Sequence, residues 1–134
     1  MPVLLVLVLG ALDLGRAFYS WVTLNNSARV AANYAAADPS AAFGAGSQYQ
    51  SDVNSEGLAS LSGVCANAGG IPAPTFADTT VDTNTTTKDL GDTATVAISC
   101  NFRLITPIIS AIVGNNIQLT ASSTFTVRTG AYQP

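Results

Sequence analysis

From Pro2 to Ala36 the chain reads PVLLVLVLGALDLGRAFYSWVTLNNSARVAANYAA, with no proline to stop a helix until Pro39. That pattern predicts one continuous rod of about 50 Å, at about 1.5 Å per residue. Its two halves differ. Met1 to Leu12 is apolar on every side, and Asp13 and Arg16 then interrupt the run. Further on, Ala17, Trp21, Leu24, Ala28, Ala31 and Ala35 recur at a 4-3-4-3-4 spacing. This puts them on one stripe, with Ser20, Thr23, Ser27 and Asn33 largely elsewhere. The stripe is mostly alanine, so a partner surface can approach closely, and the expected partner is the protein's own sheet.

Beyond the rod the periodicity changes. Pro39 to Gln50 is rich in Ala, Gly and Ser and predicts a loop. A second short helix is expected from about Asp52 to Ala68, with Val53, Leu58, Leu61 and Cys65 as its inner face and Gly69-Gly70 as its stop. Two later segments alternate with period two. In Thr93 to Leu104 the inward set is Ala94, Val96, Ile98, Cys100, Phe102 and Leu104. In Ile117 to Arg128 it is Ile117, Leu119, Ala121, Ser123, Phe125 and Val127. Each has one apolar and one polar face, as antiparallel strands do between a helix and water. Thr75 to Asp82 is a weaker strand, with Thr83 to Asp92 as the loop that follows. The expected fold is α+β: a long N-terminal helix protruding from or packed on a small antiparallel sheet of three or four strands, plus short helices. The division falls between an assembly or membrane helix, residues 1–36, and a globular head, residues 37–134.

The first twelve residues make about 18 Å of helix, short of the roughly 20 apolar residues that a membrane span needs. A signal peptide has a core of this length, but with a basic start and a small-residue cleavage site, and here DLGRAFYSW follows. A core helix that is apolar all round must be enclosed all round, and the remaining chain is too small for that. The favoured reading is an exposed spike, held in a membrane and later packed against copies of itself, where it finds the burial its own domain does not supply.

Composition narrows the function classes. Of the 134 residues 48% are apolar and only 10% charged, with five Lys and Arg against eight Asp and Glu and a net charge of −3. No basic cluster could release counterions from a phosphate backbone, so nucleic acid is not an expected partner. The absence of histidine removes the usual general base and the commonest metal ligand, so no enzyme activity, catalytic residue or cofactor is expected. Asp78, Asp82, Asp89 and Asp92 gather around one predicted loop with oxygen ligands suited to calcium, but without EF-hand spacing, and a solvated acidic loop is the preferred reading. Asn25-Asn26-Ser27 and Asn84-Thr85-Thr86 fit the glycosylation sequon, with Asn84 the better site, and the Thr79 to Thr87 region could carry O-linked sugar. Cys65 and Cys100, the only two thiols, favour one disulfide over two buried free thiols.

The residues Pro2, Gly10, Asp13, Gly15, Arg16, Phe18, Tyr19, Asn26, Ala28, Arg29, Ala32, Tyr34 and Ala35 carry a resemblance. They follow a pattern of proline, a Leu/Val run, glycine, Asp-x-Gly-Arg, an aromatic pair and Asn-x-Ala-Arg-x-x-Ala-x-Tyr-Ala, which resembles the N-terminal region of TadE-like proteins. The C-terminal half is similar too: a strand, Thr106-Pro107 opening a short apolar helix that ends at Gly114, then a strand with the run Ala121 to Thr124. Pro39 to Asp92 carries no such signature. Pilin-like chains have a glutamate at the fifth position of the processed chain, where Leu5 stands here. The expectation is a start shortened relative to the family, or processing further downstream. The resemblance implies insertion in the inner membrane, processing by a prepilin peptidase, engagement of the pilus assembly machinery, and incorporation in, or priming of, a tight-adherence pilus outside the cell.

Three function classes follow: a filament subunit bound to copies of itself, a minor pseudopilin or membrane-anchored adhesive module, and, last, an enzyme. For assembly the expected residues are Val3, Leu4, Leu5, Val6, Leu7, Val8 and Leu9, with Asp13 and Arg16. Asp13 and Arg16 share a helix face, and mark either a membrane interface or a pair that fixes axial register between subunits. Gly10 and Gly15 would permit close helix contact or bending.

Overall fold

The computed structural model describes residues 1–66, 70–79 and 88–130. Helix α1 runs Pro2–Ala37, opened by a proline at its first position, where the missing N–H has no intrahelical partner to lose. It closes at Asp38, whose N–H reaches the Tyr34 carbonyl, just ahead of Pro39. Helix α2 spans Gln48–Ser55, a 3-10 helix Leu58–Gly63, and helix α3 Pro107–Val113. The strands are β1 Cys65–Ala66, β2 Thr75–Ala77, β3 Thr93–Arg103 and β4 Asn116–Thr126. The fold is α+β, a long N-terminal helix on a four-stranded antiparallel sheet.

The central strand is β3. Along one edge it pairs with β4 over its whole length, from Thr93 opposite Thr126 to Arg103 opposite Asn116. The other edge is shared, β2 at the Thr93 end and β1 at the Phe102 end. Ala94, Val96, Ile98, Cys100 and Phe102 are all buried, so the alternation in the sequence is the alternation of the sheet. The outward face is hydroxyl-rich, and Thr95 and Thr124 bond across the strand pair at 2.8 Å. Cys65 and Cys100 are joined by a disulfide across 35 residues. By chain-entropy reasoning such a closure contributes roughly 3 to 4 kcal/mol.

Leu24, Ala28, Ala31 and Ala32 of α1 meet Val96, Ile98, Cys100, Phe102 and Ala121 in the core, and Val53, Leu58 and Leu61 seal its side. A second cluster, Ala35, Ala36, Ala94 and Val127, closes the far end. The seam differs from the predicted stripe toward its lower end. Trp21 is 47% exposed, while Ser20, Thr23 and Ser27 are buried. A seam this close admits small side chains and rejects an indole, and a hydroxyl can enter by bonding its own helix, as Ser20 does to the Arg16 carbonyl at 2.9 Å. Ser27 Oγ is buried with no hydrogen-bond partner among the described residues. We therefore expect Ser27→Ala to leave stability unchanged or raise it by up to about 1 kcal/mol. Thermal unfolding of the full chain in detergent checks this, and a clear loss of stability would mean the hydroxyl is bonded after all.

The stretch between α1 and the sheet also departs from expectation. Residues 39–50 are not all loop, because Ser47 caps α2 by accepting the Gln50 N–H. Nor does the second helix run on from Asp52: Gly57, at φ 92°, takes the left-handed conformation that ends α2. Cys65 then lies in a strand, although Val53, Leu58, Leu61 and Cys65 are all buried as the inner face predicted. The helical stop expected at Gly69-Gly70 and the strand beyond Thr79 lie partly outside the described residues.

Tyr49 is fully buried, edge-on to Phe43 at 5.2 Å, and its hydroxyl donates to the Pro72 carbonyl at 2.9 Å. Burial pushes that hydroxyl up to about 12 from its usual 10. Unfolded chains then lose this proton from about pH 10 while the folded chain keeps it, so stability falls as pH rises from about 10 to about 12, by at most about 1.4 kcal/mol per unit. Tyr49→Phe should flatten this fall and cost about 1 kcal/mol at neutral pH. Equal alkaline slopes for the two proteins in urea titrations would assign the fall to another group.

Candidate assembly and membrane-facing surface

The lower part of α1 keeps its apolar residues on the outside. Val3, Leu4, Leu5, Leu7 and Val8 are exposed, Leu7 at 69%, and only Val6 and Leu9 of the predicted spike are half-buried. The exposure continues upward through Leu12, Leu14, Phe18 and Tyr19. Trp21 joins this band, with its ring 6.3 Å from that of Phe18. As a whole, Pro2–Ala37 is long and apolar enough to cross a membrane, and its most apolar stretch is little buried.

Asp13 is the boundary. It is 3% exposed, and the head surrounds its carboxylate with donors. The Ile105 N–H reaches both oxygens at 3.2 and 3.1 Å, the Thr106 N–H donates at 2.8 Å and the Thr106 hydroxyl at 2.7 Å. Arg16 completes the set at 3.1 Å and lies over the Phe102 ring, 5.5 Å from its centroid. The local sequence explains the need. Ile105 and Thr106 lie between the end of β3 at Arg103 and the start of α3 at Pro107, where neither a strand ladder nor a helix supplies their N–H groups with an acceptor. A carboxylate from a residue 93 positions away supplies the acceptor. The pair foreseen as an interface mark or a link between subunits is thus engaged first within its own chain.

At the opposite end the helix is clasped again. Arg128 N–H donates to the Ala36 carbonyl at 2.9 Å, and the Arg128 guanidinium to Asn33 at 2.8 Å. Between the two clasps, Asp13 to Ala37, the helix is part of the head; in front of them it projects. Where it projects it leaves a groove of about 530 Å³ against the head, walled by Val6, Gly10, Ala17, Phe102, Leu104 and Ile109. A Cβ on Gly10 would stand 3.7 Å from Ile109, an ordinary contact, and one on Gly15 would meet nothing, so neither glycine is required by packing within the chain.

The other sequence candidates lie elsewhere. Asp92 is buried and accepts from the Thr79 and Asp89 N–H groups, each at 3.1 Å, which ties its own turn to the segment that follows β2. Asp82 is outside the described residues, and among those described no group of three metal-ligating side chains forms. Asn25 donates to the Trp21 carbonyl at 2.8 Å on the helix, and Asn84 lies outside the described residues. The clasp by Thr106 was not foreseen. Its one sequence signal is Thr-Pro at a helix start, and nothing in the sequence says which carboxylate answers it.

The family model described as TadE-like protein matches residues 1–33, which hold the projecting spike, the Asp13–Arg16 pair and most of the alanine seam. No curated protein and no solved structure matches the chain.

Proposed function

From a chain whose first 33 residues match the TadE-like family, we propose a structural, non-catalytic subunit of a Tad-type pilus, polymerising through its N-terminal helix. The observation that supports this most is the uncovered apolar surface from Val3 to Leu14, which the chain's own head leaves in solvent. Such a surface is stable only in lipid or against other apolar surface. In this reading the projecting end of the helix, ahead of Asp13, rests in the inner membrane until a prepilin peptidase and the assembly machinery pass the subunit on. Copies of the same helix then bury one another's spikes, and the head, residues 37–134, faces outward. Val3 to Leu9 form the filament core. Asp13 and Arg16, already paired, enter it without an unmatched charge, avoiding the several kcal/mol that one left alone would cost.

Electron microscopy of shed or sheared surface material, with mass spectrometry of any fibre, tests the proposal. Fibres built mainly of this chain support it. A membrane-bound monomer that never polymerises, or a trace of this chain in fibres of another, would replace it with a minor pseudopilin or an anchored adhesive module.

A further inference from the structure

Apart from those on α1, the apolar residues most open to solvent among the described residues cluster on α3 and its approach. Ile105, Ile108, Ile112 and Val113 are all exposed, Ile112 at 80%, and no residue of α3 is buried. The helix nonetheless lies beside α1. Ile108 shares a groove with Pro2, Val3, Val6 and Leu7, and Ile109 sits beside Gly10. The connection from β3 to β4 therefore leaves the sheet at the level of Asp13 and reaches along the spike toward Met1.

We propose that this ledge is a second lipid-contacting surface, entering the same leaflet as residues 2–12 so that the subunit rests in the membrane on two elements. The inference depends on the membrane-inserted stage of the function proposed above. Three observations select lipid as the occupant. First, neither 2–12 nor 104–120 contains an ionisable side chain. Second, the polar groups at the turn into the ledge, and those of Ser110 and Gly114, are already paired. The Ile105 and Thr106 N–H groups and the Thr106 hydroxyl bond Asp13, the Ser110 hydroxyl donates to the Pro107 carbonyl, and the Gly114 N–H to that of Ser110. A turn bound for water needs no remote carboxylate to occupy these donors, whereas hydrocarbon requires that they be occupied.

Third, a polar rim stands where the ledge rejoins the sheet. Arg103 is opposite Asn116, the Leu104 N–H bonds the Asn115 carbonyl, and Arg16 lies beside Asp13, with Tyr19 and Trp21 exposed on the helix above. Cations and amphipathic aromatics at this height complement anionic headgroups. The depth agrees, since Pro2 to Asp13 rises about 16 Å, close to half of a hydrocarbon core of about 30 Å.

The test uses the full chain in nanodiscs of phosphatidylethanolamine and phosphatidylglycerol whose acyl chains carry a nitroxide quencher. An environment-sensitive fluorescent amino acid is placed, one site at a time, at Leu4, Ile112 or Thr126. The expected result is that labels at Leu4 and Ile112 lose emission alike while the label at Thr126, at the far end of the sheet, keeps it. If the Leu4 label is quenched by lipid but the Ile112 label is quenched only by iodide in the water, the ledge stands in solvent and the inference is wrong. It is equally wrong if the Ile112 label is hidden from both quenchers and responds instead to a nitroxide on a second copy of the chain. Loss of lipid quenching at Leu4 itself would overturn the membrane stage of the proposed function, and this inference with it.

Discussion

Asp13→Ala will release the lower head from the helix. The change strips the acceptor from the Thr106 hydroxyl and from two N–H groups, and leaves Arg16 without its carboxylate. Arg16 is partly in solvent, so the cost is that of the lost charge-assisted hydrogen bonds, about 1.5 to 3 kcal/mol. The loss should be local first, because the alanine seam from Ala28 to Ala36 and its sheet are untouched. Hydrogen exchange at the Ile105 and Thr106 amides should therefore accelerate before the amides of β3 respond, with a lowered urea midpoint alongside. Asp13→Asn should fall between the two, since its oxygen still accepts but its NH2 is set against donors. If the two amides stay protected in Asp13→Ala, the carboxylate is not what holds α3 to the helix.

Leu7→Asp will do the opposite, sparing the monomer and ending assembly. Leu7 is 69% exposed, so its loss from the isolated chain should change stability by no more than about 0.5 kcal/mol. In hydrocarbon, an aspartate at a helix centre costs about 2.5 to 3.5 kcal/mol on insertion scales, a factor of roughly 100 for each subunit. Each added copy carries the same penalty, so fibre yield should drop below detection while circular dichroism of the detergent-solubilised chain is unchanged. Fibres that form in normal amount from this variant would show that the spike is not their core. The two substitutions also separate the two faces of the helix: one reports on the chain's own packing, the other on what lies outside it.

How far these features could be read from the sequence follows the range of the forces involved. Period-two alternation in β3 and β4 appeared plainly because each strand has one face on the helix and one in water, and burial imposes that pattern residue by residue. The spike was readable for the converse reason, as an apolar run with too little chain to cover it. Cys65 and Cys100 were two thiols with one possible partner each. The alanine seam was read only in part, because Ser20, Thr23 and Ser27 count as polar in any periodicity yet are small enough to be buried, and Trp21 counts as apolar yet is too large. Ser47 and Gly57 bound α2 through a cap and a left-handed turn, signals lost in a stretch where Gly and Ser abound. The Asp13 clasp was beyond reach because a contact across 93 residues leaves no local spacing to detect.

The two clasps on α1 also set how the molecule would carry tension. Suppose the spike is fixed and the head is dragged away along the helix axis. Force then enters the head near Asp13, passes through Thr106 into β3, crosses to β4 through their eleven-residue register, and returns to the helix at Ala36 through Arg128. Strands loaded along their length share the strain among many hydrogen bonds at once, instead of opening them one by one. The covalent Cys65–Cys100 link sits beside the point of entry, where it ties β1 to β3. Under such a pull the weakest joint is the Asp13 clasp, which would yield before the sheet and free α3 while the core stays folded.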